Sequence, residues 1–441
     1  MRGWLQDETL ARVLRNTGLL GSGKVAGALI HLVGLALTAR LLGPVPFGLL
    51  VLIRSFAQGT SGIAKFQSWQ ALIHYGGSAL RREERGRFAD LFAFVIALDL
   101  VTGLAAMLAG ILLLPAIGPW FGLSEPQIPV AQLYCLAIPL MTAAAPTGLL
   151  RLFDRFDHLS IQALVTPLVR LAALALAWAA GAPFWAVVLA WLVSDLIGDL
   201  YLWFAAWRES RRNRIFEGLR PAPRRGWHGH KGMGRFILST NASSTIETFW
   251  TPLSNLLVGS LLGPAAAASY RVALTILDAV GKPGEIATRS FYPELAKLDH
   301  VADRSRFWTL VRRASAAAIA VGLILALIMA AAGPALIELL MGRDYASAGP
   351  LIRIMALSIV PALIVFPLEA ALLALGLAGR VLIARLLAVL TALGLLFGLV
   401  DLLGLNGAGW AIAGGMSVMA LAMLGFALAH HRDPPAAPDP Q

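Results

Sequence analysis

RLLGPVPFGLLVLIRSFAQGTSGIAKFQS, residues 40–68, decides the fold twice over. A Leu-Leu-Gly-Pro break at 41–44 leads into an apolar run long enough to cross a bilayer, which takes about 20 residues of helix. Along that run Arg54, Gln58, Ser61, Lys65 and Ser68 recur at spacings of 0, 4, 7, 11 and 14. On a helix they fall within an arc of about 80°, a single polar stripe. The break returns at 261–264, and Arg271, Thr275, Asp278, Lys282 and Glu285 follow it at the same five spacings. Arginine matches arginine and lysine matches lysine. A segment that occurs twice, each time in apolar surroundings, predicts a helical membrane protein with two related halves.

The rest of the chain agrees. Of 441 residues, 58% are hydrophobic and 14% charged, against about 45–50% and about 25% in soluble domains. Twelve apolar spans are expected, over roughly 18–42, 47–75, 88–114, 128–150, 159–181, 184–207, 235–262, 266–294, 308–332, 346–375, 379–401 and 407–430. The expected fold is therefore all-α and polytopic, with about twelve transmembrane helices in two parallel six-helix bundles around a central cavity. The halves are 1–207 and 235–430, joined by a basic linker at 208–234 and followed by a tail at 431–441. Six spans per half is an even number, so both halves enter from the same side, an arrangement common in transporters.

Charge sets the orientation. One set of alternate breaks carries 25 basic residues, nine of them between Arg208 and Arg235; the other set carries only Arg343. Basic loops resist translocation, so both termini are expected in the cytoplasm of a bacterial inner membrane. The same rule accounts for the net charge of +11 without nucleic acid. The 208–235 run can also touch anionic headgroups, at about 1 kcal/mol per charge. No cleavable leader is expected, because the apolar run after Arg15 is too long for a signal-peptide core.

Enzymatic chemistry finds no support. The single cysteine, Cys135, excludes an intrachain disulfide and a cysteine metal site. Gly21-Ser22-Gly23-Lys24 lacks the spacing and preceding strand of a phosphate loop. The sequon at Asn241-Ala242-Ser243 lies inside a span, and the non-basic loops are too short to hold a reaction centre. No catalytic residue, metal or cofactor is expected.

Charges deep in a membrane cost roughly 2.5–3.5 kcal/mol each and mark a water-filled path or a bound ion. The candidate cationic cavity residues are Lys24, His31, Arg54, Lys65, Arg271, Lys282 and Arg289. Lys24 also lies near a span end and can snorkel, and His31 can be a packed, hydrogen-bonded histidine. Arg271 and Arg289 can be interfacial. Span seven carries a milder stripe of Thr240, Ser244, Glu247, Thr251 and Asn255. Glu247, with no base one turn away, leads the ion-coupling candidates, with Asn255 and Asp278 beside it. Asp99, Arg170, Asp195, Asp199, Arg353, Glu369 and Arg385 read as scattered interhelix pairs or headgroup contacts.

ARLLGPVPFGLL at 39–50, the 345–380 segment YASAGPLIRIMALSIVPALIVFPLEAALLALGLAGR and the twelve-span doubled layout resemble bacterial polysaccharide and oligosaccharide flippases. These belong to the multidrug/oligosaccharidyl-lipid/polysaccharide exporter superfamily. The resemblance implies that helices one, two, seven and eight line the cavity. It also implies a polyprenyl-pyrophosphate-linked oligosaccharide as cargo, for O-antigen or exopolysaccharide synthesis. The span count places the chain nearer that branch than the lipid II flippases. A cationic cavity suits a pyrophosphate headgroup. Expected partners are this lipid-linked substrate, membrane lipids, H⁺ or Na⁺, and a polysaccharide polymerase or export machinery. The alternatives are a cation-coupled multidrug antiporter, which would favour an acidic cavity, and a non-transporting scaffold of an envelope-synthesis complex.

Overall fold

The computed structural model describes residues 8–229, 232–296 and 304–432, all helix and turn with no strand among them. The chain forms two compact units, Met1–Ala268 and Ser269–Gln441. This packing boundary is a different quantity from the repeat boundary near 208–234, which remains a proposal.

The first unit begins with α1 (Glu8–Leu42) and α2 (Pro44–Ala64), then α3 (Ser68–Ala71), a π-helical turn (Leu72–Gly76) and α4 (Gly77–Arg81). Next come α5 (Arg85–Ile117), α6 (Ile128–Cys135), α7 (Ile138–Met141) and α8 (Ala144–Leu152). They are followed by α9 (Phe156–Ala179), α10 (Phe184–Arg212), α11 (Pro223–His228) and α12 (Met233–Leu262). From α13 (Pro264–Ala296) the chain passes into the second unit, with α14 (Arg304–Met341), α15 (Ala348–Ala356), α16 (Ile359–Ala374), α17 (Ala378–Leu403) and α18 (Leu405–Arg432).

Among the described residues, nine helical segments are long and apolar enough to span a membrane, ten if the 47° bent pair Glu125–Cys135 and Ile138–Leu152 is one span. α12 and α13 have the length, at 30 and 33 residues, but their side chains are only partly described. The twelve expected spans are therefore matched nine or ten times.

The two Leu-Leu-Gly-Pro breaks become near-identical one-residue hinges. Gly43 has φ 73° and ψ 175°, and Gly263 has φ 86° and ψ 174°. Such positive φ is routine only for glycine. The following proline opens the next helix, where its missing N–H costs nothing. Small residues then let α2 approach α12, at Gly59 and Gly259, and the first residue of α13, at Gly48, as membrane helices do without a hydrophobic drive between them. A Cβ at Gly48 would lie 1.8 Å from the Pro264 carbonyl oxygen. Gly48→Ala is therefore expected to destabilise the protein by about 1–3 kcal/mol, the range for overpacking. Thermal unfolding in detergent checks this, and an unchanged midpoint would remove the close contact from the account.

Apolar residues cover the outside as well as filling the core. On α5, Val101, Leu104, Leu108 and Leu112 are exposed at helical spacing, as are Ile383, Leu386 and Leu390 on α17. In a bilayer that face meets lipid, and polar groups turn inward. In the second unit Arg385 Nη2 pairs with Glu369 Oε1 at 2.7 Å, the interhelix pairing read for these two. Arg353, by contrast, is exposed.

The 208–234 segment does not hang free where it is described. Gly226 packs against the backbone of Asp90 on α5. Asp90 accepts a hydrogen bond from Ala222 N at 2.7 Å and an ion pair from Arg225 Nε at 3.2 Å. Trp227 packs on Phe94, and Phe216 stacks on Phe92.

Candidate functional site

Five helices of the first unit converge on one carboxylate. α10 places Trp191, Asp195 and Asp199 four residues apart, successive turns of one helix face. Asp195 is 5% exposed. It accepts from Arg54 Nε of α2 at 3.0 Å and Arg54 Nη2 at 3.3 Å, a bidentate fork. It also accepts from Arg170 Nη2 of α9 and from the Tyr134 hydroxyl of α6.

Arg170, 1% exposed, is held on every side. Its Nε donates to Ser194 Oγ at 3.1 Å, and its Nη1 donates to His31 Nδ1 of α1 at 3.1 Å. A guanidinium cannot accept, so the His31 ring proton lies on Nε2. The Arg170 Cζ sits 4.0 Å from the centroid of Trp191, and the Arg54 Cζ 5.2 Å from it, both in cation–π range. Trp191 is fixed in turn, donating from Nε1 to Thr38 Oγ1 at 3.1 Å. The Gln58 amide, with its oxygen turned to Arg54, accepts from both terminal nitrogens at 3.2 Å.

Two guanidiniums share one carboxylate, so this cluster carries a surplus positive charge. Arg54 is the open end of it, with its side chain 15% exposed against 1% for Arg170. An anion approaching Arg54 would meet a charge that the protein has already desolvated and aimed.

A second group lies one turn further along α10 and is balanced, with Asp99 and Asp199 set against Lys65 and Arg151 and with Asp199 also within electrostatic range of Arg54. α2 stops at Ala64, and Lys65 caps it with extended backbone (φ −76°, ψ 94°). The chain runs unwound through Phe66 and Gln67 until Ser68 opens α3. Lys65 lies within electrostatic range of Asp99, Asp199 and Arg151. Asp99, 1% exposed, accepts from Ala145 N at 2.7 Å and from Ser68 Oγ at 3.4 Å. It thus caps the N-terminus of α8, where a carboxylate complements the dipole, and holds the hydroxyl of the first residue of α3. Unwound helix at membrane depth is tolerated where it lines a cavity, and transporters place their binding groups there.

The expected residues fall into three sets. His31 and Arg54 join the Asp195 cluster, and Lys65 joins the Asp99–Asp199 group. Asn255 on α12 is buried and donates to Ser55 Oγ at 3.0 Å, while its Oδ1 has no partner. Arg271 is half-buried and Asp278 exposed, both on α13. Lys24, Glu247, Lys282 and Arg289 lie on helices whose side chains at those positions are outside the described residues.

One reading is overturned. Arg170, Asp195, Asp99 and Asp199 are not scattered pairs, because they form the centre of the two groups. Sequence reasoning also missed Tyr134, Trp191 and Ser194. The i, i+4, i+8 run of Trp191, Asp195 and Asp199 is a signal for Trp191; Tyr134 and Ser194 carry none.

A multi-pass, all-helical protein with buried ionic groups turned from lipid defines a membrane transporter fold. The polysaccharide biosynthesis protein family matches residues 13–299, and the chain belongs to it. It is 36% identical to the inner membrane protein YghQ of Escherichia coli (strain K12) over 353 residues, 80% of this chain and 99% of that protein. Its fold is similar to that of the lipid II flippase MurJ, solved in an inward closed conformation, with a TM-score of 0.71 and 13% identity over 93% of this chain and 87% of that one. An inward-facing multidrug resistance MATE family transporter of the MOP superfamily gives a TM-score of 0.69 at 14% identity, covering 95% and 94%. These neighbours are a flippase and a transporter rather than enzymes.

Proposed function

We propose that the chain carries a polyprenyl-pyrophosphate-linked oligosaccharide from the cytoplasmic to the periplasmic leaflet of the inner membrane, for O-antigen or exopolysaccharide synthesis. The observation that carries this is the surplus positive charge of Arg54 and Arg170 on Asp195, inside the membrane, in a polysaccharide-biosynthesis family. Arg54 presents paired donors suited to phosphate oxygens. The lipid tail stays in the bilayer while the sugar crosses by alternating access. Arg271, Lys282 and Arg289 on α13, together with Lys24, supply the same chemistry elsewhere in the chain. Both termini face the cytoplasm, with the basic breaks.

For a coupling H⁺ or Na⁺, the carboxylates Asp99 and Asp199 beside Lys65 join Glu247, Asn255 and Asp278 as candidates. Asp278 is exposed, whereas Asn255 donates through Nδ2 to Ser55 and keeps its buried Oδ1 available to a cation. Glu247 remains a candidate on its place in α12. A cation-coupled drug antiporter fits the fold equally well, but a cationic drug would be repelled by the Arg54 end.

In proteoliposomes, a fluorescent polyprenyl-pyrophosphate oligosaccharide is expected to reach the opposite leaflet only with the protein present, and Lys65→Ala is expected to stop it. Running the assay with and without a proton or sodium gradient identifies the coupling ion. Transport of a cationic dye in place of the glycolipid would sink the proposal.

A further inference from the structure

A cavity of about 670 Å³ opens beside the Arg212 end of α10, apart from both ionic groups. Such a volume suits a small amphiphile. Its walls are apolar and aromatic, with Phe92, Trp203, Trp207 and Phe216 foremost, and Arg211 and Arg214 stand at its rim. Arg211 stacks on Trp207 with its Cζ 4.9 Å from the ring centroid. Among the described residues it has no carboxylate partner. Arg214 pairs only with Glu217, at 3.3 Å and largely in solvent, where such a pair contributes little. The rim is therefore net positive. The Trp203 Nε1 donor is buried without a partner in the protein.

An exposed stripe leads into this cavity along α10. Ile197, Leu200, Phe204 and Trp207 are 39%, 49%, 56% and 54% exposed at helical spacing, and Trp207 is also part of the wall. Acyl chains lying on the stripe would bring their headgroup to the arginines. Phe216 reaches the cavity because the 208–234 segment folds back on α5, so that segment forms one wall.

The geometry points to a binding site for one anionic phospholipid of the surrounding membrane, its phosphate on Arg211 and Arg214 and its glycerol end among Trp203, Trp207 and Phe216. Aromatic belts and basic rims hold lipid at membrane boundaries in this way. The lipid would tie the 208–234 segment to α5 and α10. This site is independent of the transported substrate.

The test is native mass spectrometry of the full chain in detergent, with phosphatidylglycerol, phosphatidylcholine or polyprenyl phosphate added. One tightly retained phosphatidylglycerol is expected, preferred over phosphatidylcholine roughly fivefold, as the one net positive charge left by Arg211, Arg214 and Glu217 at the rim dictates. The double variant Arg211→Gln, Arg214→Gln changes exposed residues and should fold normally, but lose that preference. Ser210→Trp fills the cavity from its wall and should exclude both phospholipids. Equal retention of the two phospholipids, or an undiminished preference in the arginine double variant, would overturn the site. So would stronger retention of polyprenyl phosphate, which would assign the cavity to the substrate path.

Discussion

Asp195→Asn is expected to cost the first unit about 3–5 kcal/mol, the loss on breaking a buried ion pair from one side. Asparagine keeps the shape and can still accept one hydrogen bond from Arg54 or Arg170. It cannot offset two guanidiniums, one of them 1% exposed, and their mutual repulsion is unscreened at that depth. The purified variant should unfold well below the wild type in detergent, or fail to accumulate. Adding Arg170→Gln removes one of the stranded charges, so the double variant should regain much of the lost stability. Were Asp195→Asn alone as stable as the wild type, the shared-carboxylate account would be wrong.

Arg54→Ala should behave in the opposite way, folding well and transporting nothing. Removing Arg54 leaves Asp195 paired with Arg170, a neutral cluster still held by Tyr134, Ser194 and His31. The stability loss should be about 1–2 kcal/mol, typical of one polar contact between membrane helices. The surplus charge disappears with it, and so should binding of the pyrophosphate. Arg54→Lys restores charge without the fork and should recover part of the rate. Glycolipid flipping in proteoliposomes, beside unfolding midpoints, separates the two effects. Full transport by Arg54→Ala would remove Arg54 from the binding site.

The class of fold and its hinges were legible because they are local. Apolar length marks a span, and Leu-Leu-Gly-Pro marks a turn that glycine and proline dictate at Gly43 and Gly263 alike. Arg54 and Lys65 stood out as charges in an apolar run. Their partners did not, because Asp195 and Arg170 come from distant spans and no spacing rule connects them. The interruption of α2 was equally hidden. Lys65-Phe66-Gln67 contains neither glycine nor proline, and the helix stops where Asp99 engages Ser68 from another helix. The stripe read over five positions is therefore two short stretches serving two different groups.

The distance in sequence between Arg54 and Asp195, 141 residues, has a consequence for how the protein is made. At about 5–20 residues per second, the ribosome delivers Asp195 roughly 7–30 s after Arg54. For that interval the second span carries a guanidinium without its counter-ion, and α9 then adds Arg170 before α10 arrives. Until α10 closes the cluster, those charges carry the cost of an unpaired ion in the bilayer. α10 is thus the helix that completes the ion pairing, and a nascent chain stalled before it would hold Arg54 and Arg170 without their shared carboxylate.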